Sequence, residues 1–276
     1  MTDRPPGKIF VIPFLEMDVA FACDLHCPNC THYSNYGLKG YVPFALGSEW
    51  LRAWARRLIP KTFSLLGGEP TLNPDLLSYL DLIAELWPGS ERALISNGLG
   101  LHRHPGLFER LAATKTRLEV SFHSFKDPDY VQRFNEALMA IETARQRLGF
   151  DFVYRPNETT FYRTYRGQGA GMRPYEDKEP HASWTECYNK LCCTIHEGRL
   201  WKCPPLAFLG KVVDRFGLRA VPEWQPYLAY RPLAPDVSDE VLHAFFRHEE
   251  ILECAMCPAR LEFSENGLVT RIEAAK

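Results

Sequence analysis

Cys23-Asp24-Leu25-His26-Cys27-Pro28-Asn29-Cys30 closes an apolar, β-rich run over residues 9–22. The cysteines stand at C-x3-C-x2-C spacing, on a loop that the preceding strand pattern delivers to one end of a sheet. Three thiolates on one loop suit an iron-sulfur cubane, because sulfur is a soft ligand and the spacing lets the chain wrap one face of the cluster. Such a loop fills three corners and leaves the fourth iron open. A closed zinc site would need a fourth ligand, for which His26 and His32 are at hand.

Outward from this loop, short β-rich runs alternate with helical patterns. Strands are expected at residues 9–22, 62–66, 93–96, 118–122 and 150–154, with helix starts at Ser48 before Glu49, at Asn73-Pro74 and at Asp127-Pro128. This repeated strand, helix, strand order implies an α/β fold with a parallel sheet, whose functional loops follow the carboxyl ends of the strands. The pattern breaks down around residues 165–180, where a connection between two units is expected. Further on, Glu197-Gly198 reads as a tight hairpin turn between residues 194–196 and 199–202, and residues 238–250 read as a helix.

The chain's 276 residues allow one large α/β domain with a smaller appendage. Hydrophobic residues make up 46% and charged residues 24%, and the net charge of -2 includes no dense basic run. Nucleic acid is therefore not expected as a partner, and neither is a membrane, since no stretch is long and apolar enough to span one. A cytoplasmic location follows. Nine cysteines are many for a reducing compartment, where disulfides do not persist, so metal ligation is the leading explanation.

The C-x3-C-x2-C loop resembles the cluster-binding loop of the radical S-adenosylmethionine (SAM) superfamily. The resemblance implies a partial (β/α)6 barrel over residues 1–175 and a [4Fe-4S] cluster held by Cys23, Cys27 and Cys30. SAM would chelate the open iron through its amino and carboxylate groups. An electron from an external donor of flavodoxin or ferredoxin type would then yield a 5′-deoxyadenosyl radical that takes a hydrogen atom from the substrate. In the family the residue before the last cysteine is often aromatic and helps hold adenine through its backbone; here it is Asn29, and Tyr33 supplies a ring nearby.

Gly67-Gly68-Glu69-Pro70 follows the second expected strand and looks like the superfamily's GGEP motif, which contacts the SAM ammonium. Paired glycines permit close backbone approach, and an acidic residue among exposed carbonyls suits a cation. Ser96-Asn97 and Ser121-Phe122-His123 end the third and fourth strands, where family members hold the SAM carboxylate and ribose. Taken alone, Ser96 to Gly98 is equally a turn, and His123 equally a satisfied core histidine.

The other six cysteines lie beyond residue 186. Cys187, Gly198 and Cys203, followed far downstream by Cys254-Ala-Met-Cys257, resemble the auxiliary domain called SPASM or, in its shorter form, twitch, implied here over residues 176–276. Cys187, Cys203, Cys254 and Cys257 would close a second, auxiliary [4Fe-4S] cluster; the same four thiolates also fit a zinc site. Cys192 and Cys193 are left over, as inert buried thiols, substitute ligands or a catalytic hydrogen-atom donor.

In size and single auxiliary site the chain is most similar to the 2-deoxy-scyllo-inosamine dehydrogenases of the superfamily. The resemblance implies oxidation of a small polar substrate, a sugar or cyclitol, with the auxiliary cluster as electron acceptor. Radical epimerisation and ribosomal-peptide modification are the alternatives. Arg155, Arg166 and Arg173 fall where a polar substrate would be gripped, or simply face solvent.

Overall fold

The computed structural model describes residues 9–270. β1 (Phe10–Ala20) leads through the cysteine loop to α1 (Phe44–Ala55) and β2 (Leu58–Gly67). Then follow α2 (Leu76–Leu86), β3 (Glu91–Ser96), α3 (Leu107–Thr114), β4 (Thr116–Ser121), α4 (Pro128–Leu148) and β5 (Phe152–Arg155). Neighbouring strands in this series all pair in parallel, as the alternating pattern implies.

The remaining chain is shorter in its elements. β6 (Thr160–Tyr162) and α5 (Pro180–Glu186) precede the hairpin of β7 (Thr194–His196) and β8 (Arg199–Trp201). After it come α6 (Pro204–Arg215), α7 (Gln225–Leu228), α8 (Asp239–Arg247) and β9 (Phe263–Glu265), the last antiparallel to β6. Glu197 and Gly198 turn the hairpin with φ of 52° and 72°, as a two-residue turn of this kind requires.

The sheet has seven strands in the order β5-β4-β3-β2-β1-β7-β8. It is mostly parallel, within a mixed α/β fold. The sixth parallel strand is β7, and it pairs with the outer edge of β1 rather than continuing beyond β5. Among the described residues the edge strands are β5 and β8.

Alternation along the strands decides which side chains meet the helices. Leu15, Met17 and Val19 of β1, Phe63 and Leu65 of β2 and Leu94, Leu118 and Val120 of β3 and β4 form one buried layer with residues of α1 to α4, including Trp54, Tyr79, Leu111 and Phe134. The far face of the sheet carries the intervening residues. A second apolar cluster, with Tyr165, Phe208, Leu209, Val212 and Trp224, takes Tyr33 and Leu38 from the cysteine loop, so the later elements pack over that loop.

Two helix starts differ from expectation. α1 begins at Phe44 after Pro43, and Ser48 lies inside it, bonded to the Ala45 carbonyl at 3.0 Å. α2 begins at Leu76, while Asn73 Oδ1 accepts from the Asp75 N–H at 2.9 Å. Asp127 caps α4 as expected, accepting from the Tyr130 N–H at 3.1 Å, with Pro128 at the first helical position. Among the described residues, no helix is long and apolar enough to cross a membrane.

Candidate active site

The three cysteines of the first motif sit on the loop that leaves the carboxyl end of β1. Backbone bonds coil it tightly: Cys30 N–H to Cys27 O at 3.3 Å, then Tyr33 N–H to Cys30 O at 3.1 Å. The Leu25 N–H points at Cys23 Sγ from 3.4 Å, and Asn97 Nδ2 lies 4.0 Å from the same sulfur. Burial pushes the Cys23 and Cys27 thiols well above the usual range, with nearby Glu69 adding to the effect at Cys23 and Cys30 at Cys27. Crowded, desolvated thiols with donors aimed at sulfur suit a group that takes them as thiolates, as an iron-sulfur cluster does. Among the described residues no three Cys, His, Asp or Glu side chains close on a point as ligands of a single ion. A cubane does not ask for this, since each thiolate bonds a different iron.

The end of β2 is fastened directly onto this loop. Gly68 N–H donates to Ala20 O and Glu69 N–H to Ala22 O, each at 2.8 Å. A Cβ on Gly68 would lie 2.7 Å from the Ala22 carbonyl carbon and from Ser34 Oγ, so only glycine permits the approach. Glu69 is completely buried, and its carboxylate is held from inside the protein. Oε1 accepts from the Thr71 N–H (3.0 Å), Thr71 Oγ1 (2.7 Å) and Ser96 Oγ (2.8 Å), and Oε2 from the Asn97 N–H (2.9 Å). Burial, helped by Asp24, still raises its pKa to about 7. The side chain thus clamps the end of β2 to the end of β3, leaving backbone carbonyls as the acceptors the motif can offer a cation. Pro70 opens the buried turn that follows.

Asn97 bridges to the cysteine loop, its Nδ2 donating to Asp24 Oδ1 at 2.7 Å, while Asp24 Oδ2 has no hydrogen-bond partner among the described residues. Asp24 was not singled out by sequence, although its place beside Cys23 was a signal. Ser121 is buried at the end of β4. His123, just beyond, stacks on Phe161 with ring centroids 6.2 Å apart, and its Nδ1 is buried without a partner among the described residues. Burial lowers its pKa to about 4 despite an opposing bond to the Glu158 backbone, with Arg155 lowering it further. The imidazole is therefore neutral near pH 7, with one nitrogen free to accept.

Asn29 and Tyr33 are placed differently. The Asn29 side chain is buried and bound to Arg163 Nε at 2.7 Å and to Ser264. The Tyr33 ring is fully buried against Tyr165, with its hydroxyl 3.4 Å from Thr164 Oγ1, so it is a packing element of the second core. Arg155 extends from β5 to Glu158 (3.0 Å) and Glu119 (3.8 Å). Arg166 pairs with Glu176, and Arg173 donates to the Met172 carbonyl at 2.7 Å; both serve the surface loop that carries them.

The four later cysteines of the expected second cluster come from three separate places. Cys187 follows α5, Cys203 precedes α6, Cys254 lies on a tight turn over Leu252–Met256, and Cys257 ends that turn. Ser183 Oγ of α5 binds Cys257 O at 2.9 Å, and Tyr162 Oη lies 3.9 Å from Cys187 Sγ. The Cys257 thiol is raised first by burial and then by Cys203, Cys187 and Cys254, so these four side chains lie within electrostatic reach of one another. Cys193 packs against the main apolar layer, and its carbonyl accepts the Glu16 N–H at 3.0 Å. Cys192 feels Glu16 most after burial, and then Cys187.

No curated protein matches the chain. Among solved structures it is similar to SuiB of Streptococcus suis bound to S-adenosylmethionine, at 19% identity over 53% of this chain and 41% of that one, with a TM-score of 0.36. It is similar to anSMEcpe with bound AdoMet (17%, 51% and 43%, 0.39) and to BtrN in complex with AdoMet and 2-DOIA (14%, 88% and 88%, 0.49). The chain spans about two fifths of the length of the first two. Likeness at this level identifies neither substrate nor reaction. The sequence signature of the radical SAM superfamily, by contrast, matches residues 17–155, which run from β1 through the cysteine loop, the Gly67–Pro70 turn and the ends of β3 and β4 to β5. With half of its length matched, the chain belongs to the radical SAM superfamily.

Proposed function

We propose that this protein is a radical SAM oxidoreductase that oxidises a small polar substrate, a sugar or cyclitol, with a second [4Fe-4S] cluster as electron acceptor. When bound, the cluster at Cys23, Cys27 and Cys30 and its SAM supply a 5′-deoxyadenosyl radical able to take a hydrogen atom from carbon. The protein's own part is to hold, orient and keep dry. Gly67 and Gly68 bring backbone acceptors against the cysteine loop, the Glu69 clamp fixes their distance from Asn97, and His123 offers a neutral acceptor from the end of β4. The observation that carries the oxidative reading is the gathering of Cys187, Cys203, Cys254 and Cys257 from three separated segments. Four thiols so gathered suit a closed [4Fe-4S] cluster, which can accept the electron that an oxidation releases.

Residues 176–276 are assigned on this reading to a twitch-like auxiliary domain, and the electron donor to an external flavodoxin or ferredoxin. A second reading, epimerisation, draws on Cys192, whose thiol lies near Glu16. Turnover in deuterated water separates the two. A product two mass units lighter than substrate, formed also by Cys192→Ala, supports oxidation. A product carrying one solvent deuterium at carbon, lost in Cys192→Ala, refutes it in favour of epimerisation.

A further inference from the structure

The face of the sheet turned away from α1 to α4 carries ionisable groups that the cluster chemistry does not use. Because Leu15, Met17 and Val19 point into the helix-covered layer, Glu16 and Asp18 project from the opposite side of β1. Thr194 of β7 stands in register with Glu16 and shares that side, since its neighbour Ile195 belongs to the apolar layer. Glu16 and Asp18 are each 3% exposed and Thr194 is 0% exposed. His32, two residues beyond Cys30, lies 2.7 Å from Asp18 Oδ2 through Nδ1.

That contact leaves three buried polar atoms without a hydrogen-bond partner among the described residues: Glu16 Oε1, Asp18 Oδ1 and Thr194 Oγ1. Each unpaired buried polar atom costs about 1–3 kcal/mol, so three on adjacent strands are not an accident of packing. Two are oxygens of acidic side chains, and the described ion pairs give these side chains His32 but no Lys or Arg. The patch lies between the first cysteine loop, through His32, and Cys192, which Glu16 approaches.

We propose that Glu16, Asp18 and Thr194 form the recognition face for the substrate, which presents at least two hydrogen-bond donors to β1, hydroxyl or ammonium, and no anionic group. This rests on the small polar substrate proposed above and narrows it. A polyol or amino-polyol satisfies the three atoms together, whereas a phosphorylated or carboxylated sugar would bury an anion against two acidic side chains with no Lys or Arg among the described ion pairs to balance it. Glu16 and Asp18 stand two residues apart on one strand, about 6.6 Å, which suits donors on different carbons of one ring better than a single donor group.

The test is calorimetric titration of the anaerobic holoenzyme, with SAM present, by three cyclitols: 2-deoxy-scyllo-inosamine, myo-inositol and myo-inositol 1-phosphate. The aminocyclitol or the neutral cyclitol is expected to bind and the phosphate not. Tighter binding of the amine assigns the donor to an ammonium; equal binding assigns it to hydroxyls. Glu16→Gln, Asp18→Asn and Thr194→Val should each weaken binding by about tenfold or more, as loss of a buried hydrogen bond does, and Thr194→Ser should restore it. If Glu16→Gln does not fold, the Thr194 pair carries the same test. Preference for the phosphate, binding by none of the three, or unchanged affinity in the variants overturns the proposal. Holoenzyme that cleaves SAM yet prefers the phosphate refutes this inference alone. Cyclitol binding that depends on Thr194 without SAM cleavage refutes the radical reading alone.

Discussion

Replacing Gly68 by alanine tests whether the contact between the end of β2 and the cysteine loop sets the geometry of the site. The added Cβ would lie 2.7 Å from the Ala22 carbonyl carbon and from Ser34 Oγ. Carbon atoms in contact prefer about 3.5–4.0 Å, so something must move by roughly 1 Å. The hydroxyl of Ser34 can rotate, but Ala22 cannot retreat alone, because its carbonyl holds the Glu69 N–H at 2.8 Å and the next residue is Cys23. The displacement therefore passes into the residues that carry the cluster and the ammonium contact. Overpacking of this kind costs about 1–3 kcal/mol of stability, which the fold should survive. A misplacement near 1 Å at a reacting centre costs about 100-fold in rate. The expected result is a folded Gly68→Ala protein with a full iron complement whose 5′-deoxyadenosine formation, followed by chromatography after dithionite reduction, is down about 100-fold. Gly89→Ala, where an added Cβ meets nothing within 4 Å, is the control and should behave as wild type. Formation within twofold of wild type by Gly68→Ala would refute the reasoning.

Anaerobic reconstitution should load about eight irons per chain, falling to about four when Cys254 and Cys257 are both replaced by alanine, with 5′-deoxyadenosine still made but product lost; eight irons in that variant, or normal product formation, would remove the second cluster from the mechanism. Replacing Cys23, Cys27 and Cys30 by alanine should abolish reductive SAM cleavage while leaving about four irons, and residual cleavage would show that another site binds SAM. Burial, opposed by His32 and reinforced by Asp18, raises the Glu16 pKa from 4.5 to about 8. A carboxyl raised on folding contributes stability below its unfolded pKa that is lost as pH climbs through the folded one, at up to about 1.4 kcal/mol per pH unit. Between pH 6 and 7.5 the wild type should thus lose up to about 2 kcal/mol relative to Glu16→Gln in urea unfolding, and a constant gap between the two would contradict the assignment.

Where a feature was local, sequence was enough to find it. The C-x3-C-x2-C loop, the Gly67–Pro70 turn, the Asp127-Pro128 cap and the Glu197-Gly198 hairpin each depend on residues a few positions apart. The start of α1 was not visible in this way, because its first N–H is satisfied by Asp75 Oδ2 at 2.9 Å, a side chain from another helix start. Ser48 has the right chemistry for a cap but is already one turn inside. The pairing of β7 with β1, and of β6 with β9, joins strands far apart in the chain and leaves no periodic trace in segments three residues long. Glu16 and Asp18 were hidden inside an apolar run that reads as a buried strand. The signal was their alternation with Leu15, Met17 and Val19, which in a strand covered on one face by helices puts two acids on the other.

The place of β7 also bears on how the chain comes into being. Among the described strands β1 is synthesised first, and one of its edges finds a partner early in β2. The other edge waits for Thr194 and Ile195. At about 5–20 residues per second that interval is roughly 10–35 s, during which a long apolar strand keeps one side open to any other strand it meets. Closing so large a loop costs little extra in equilibrium stability, since the entropy grows only with the logarithm of length, but it slows the final pairing. The nascent chain is therefore most vulnerable to aggregation before the β7–β8 hairpin docks, and slower translation lengthens that exposure.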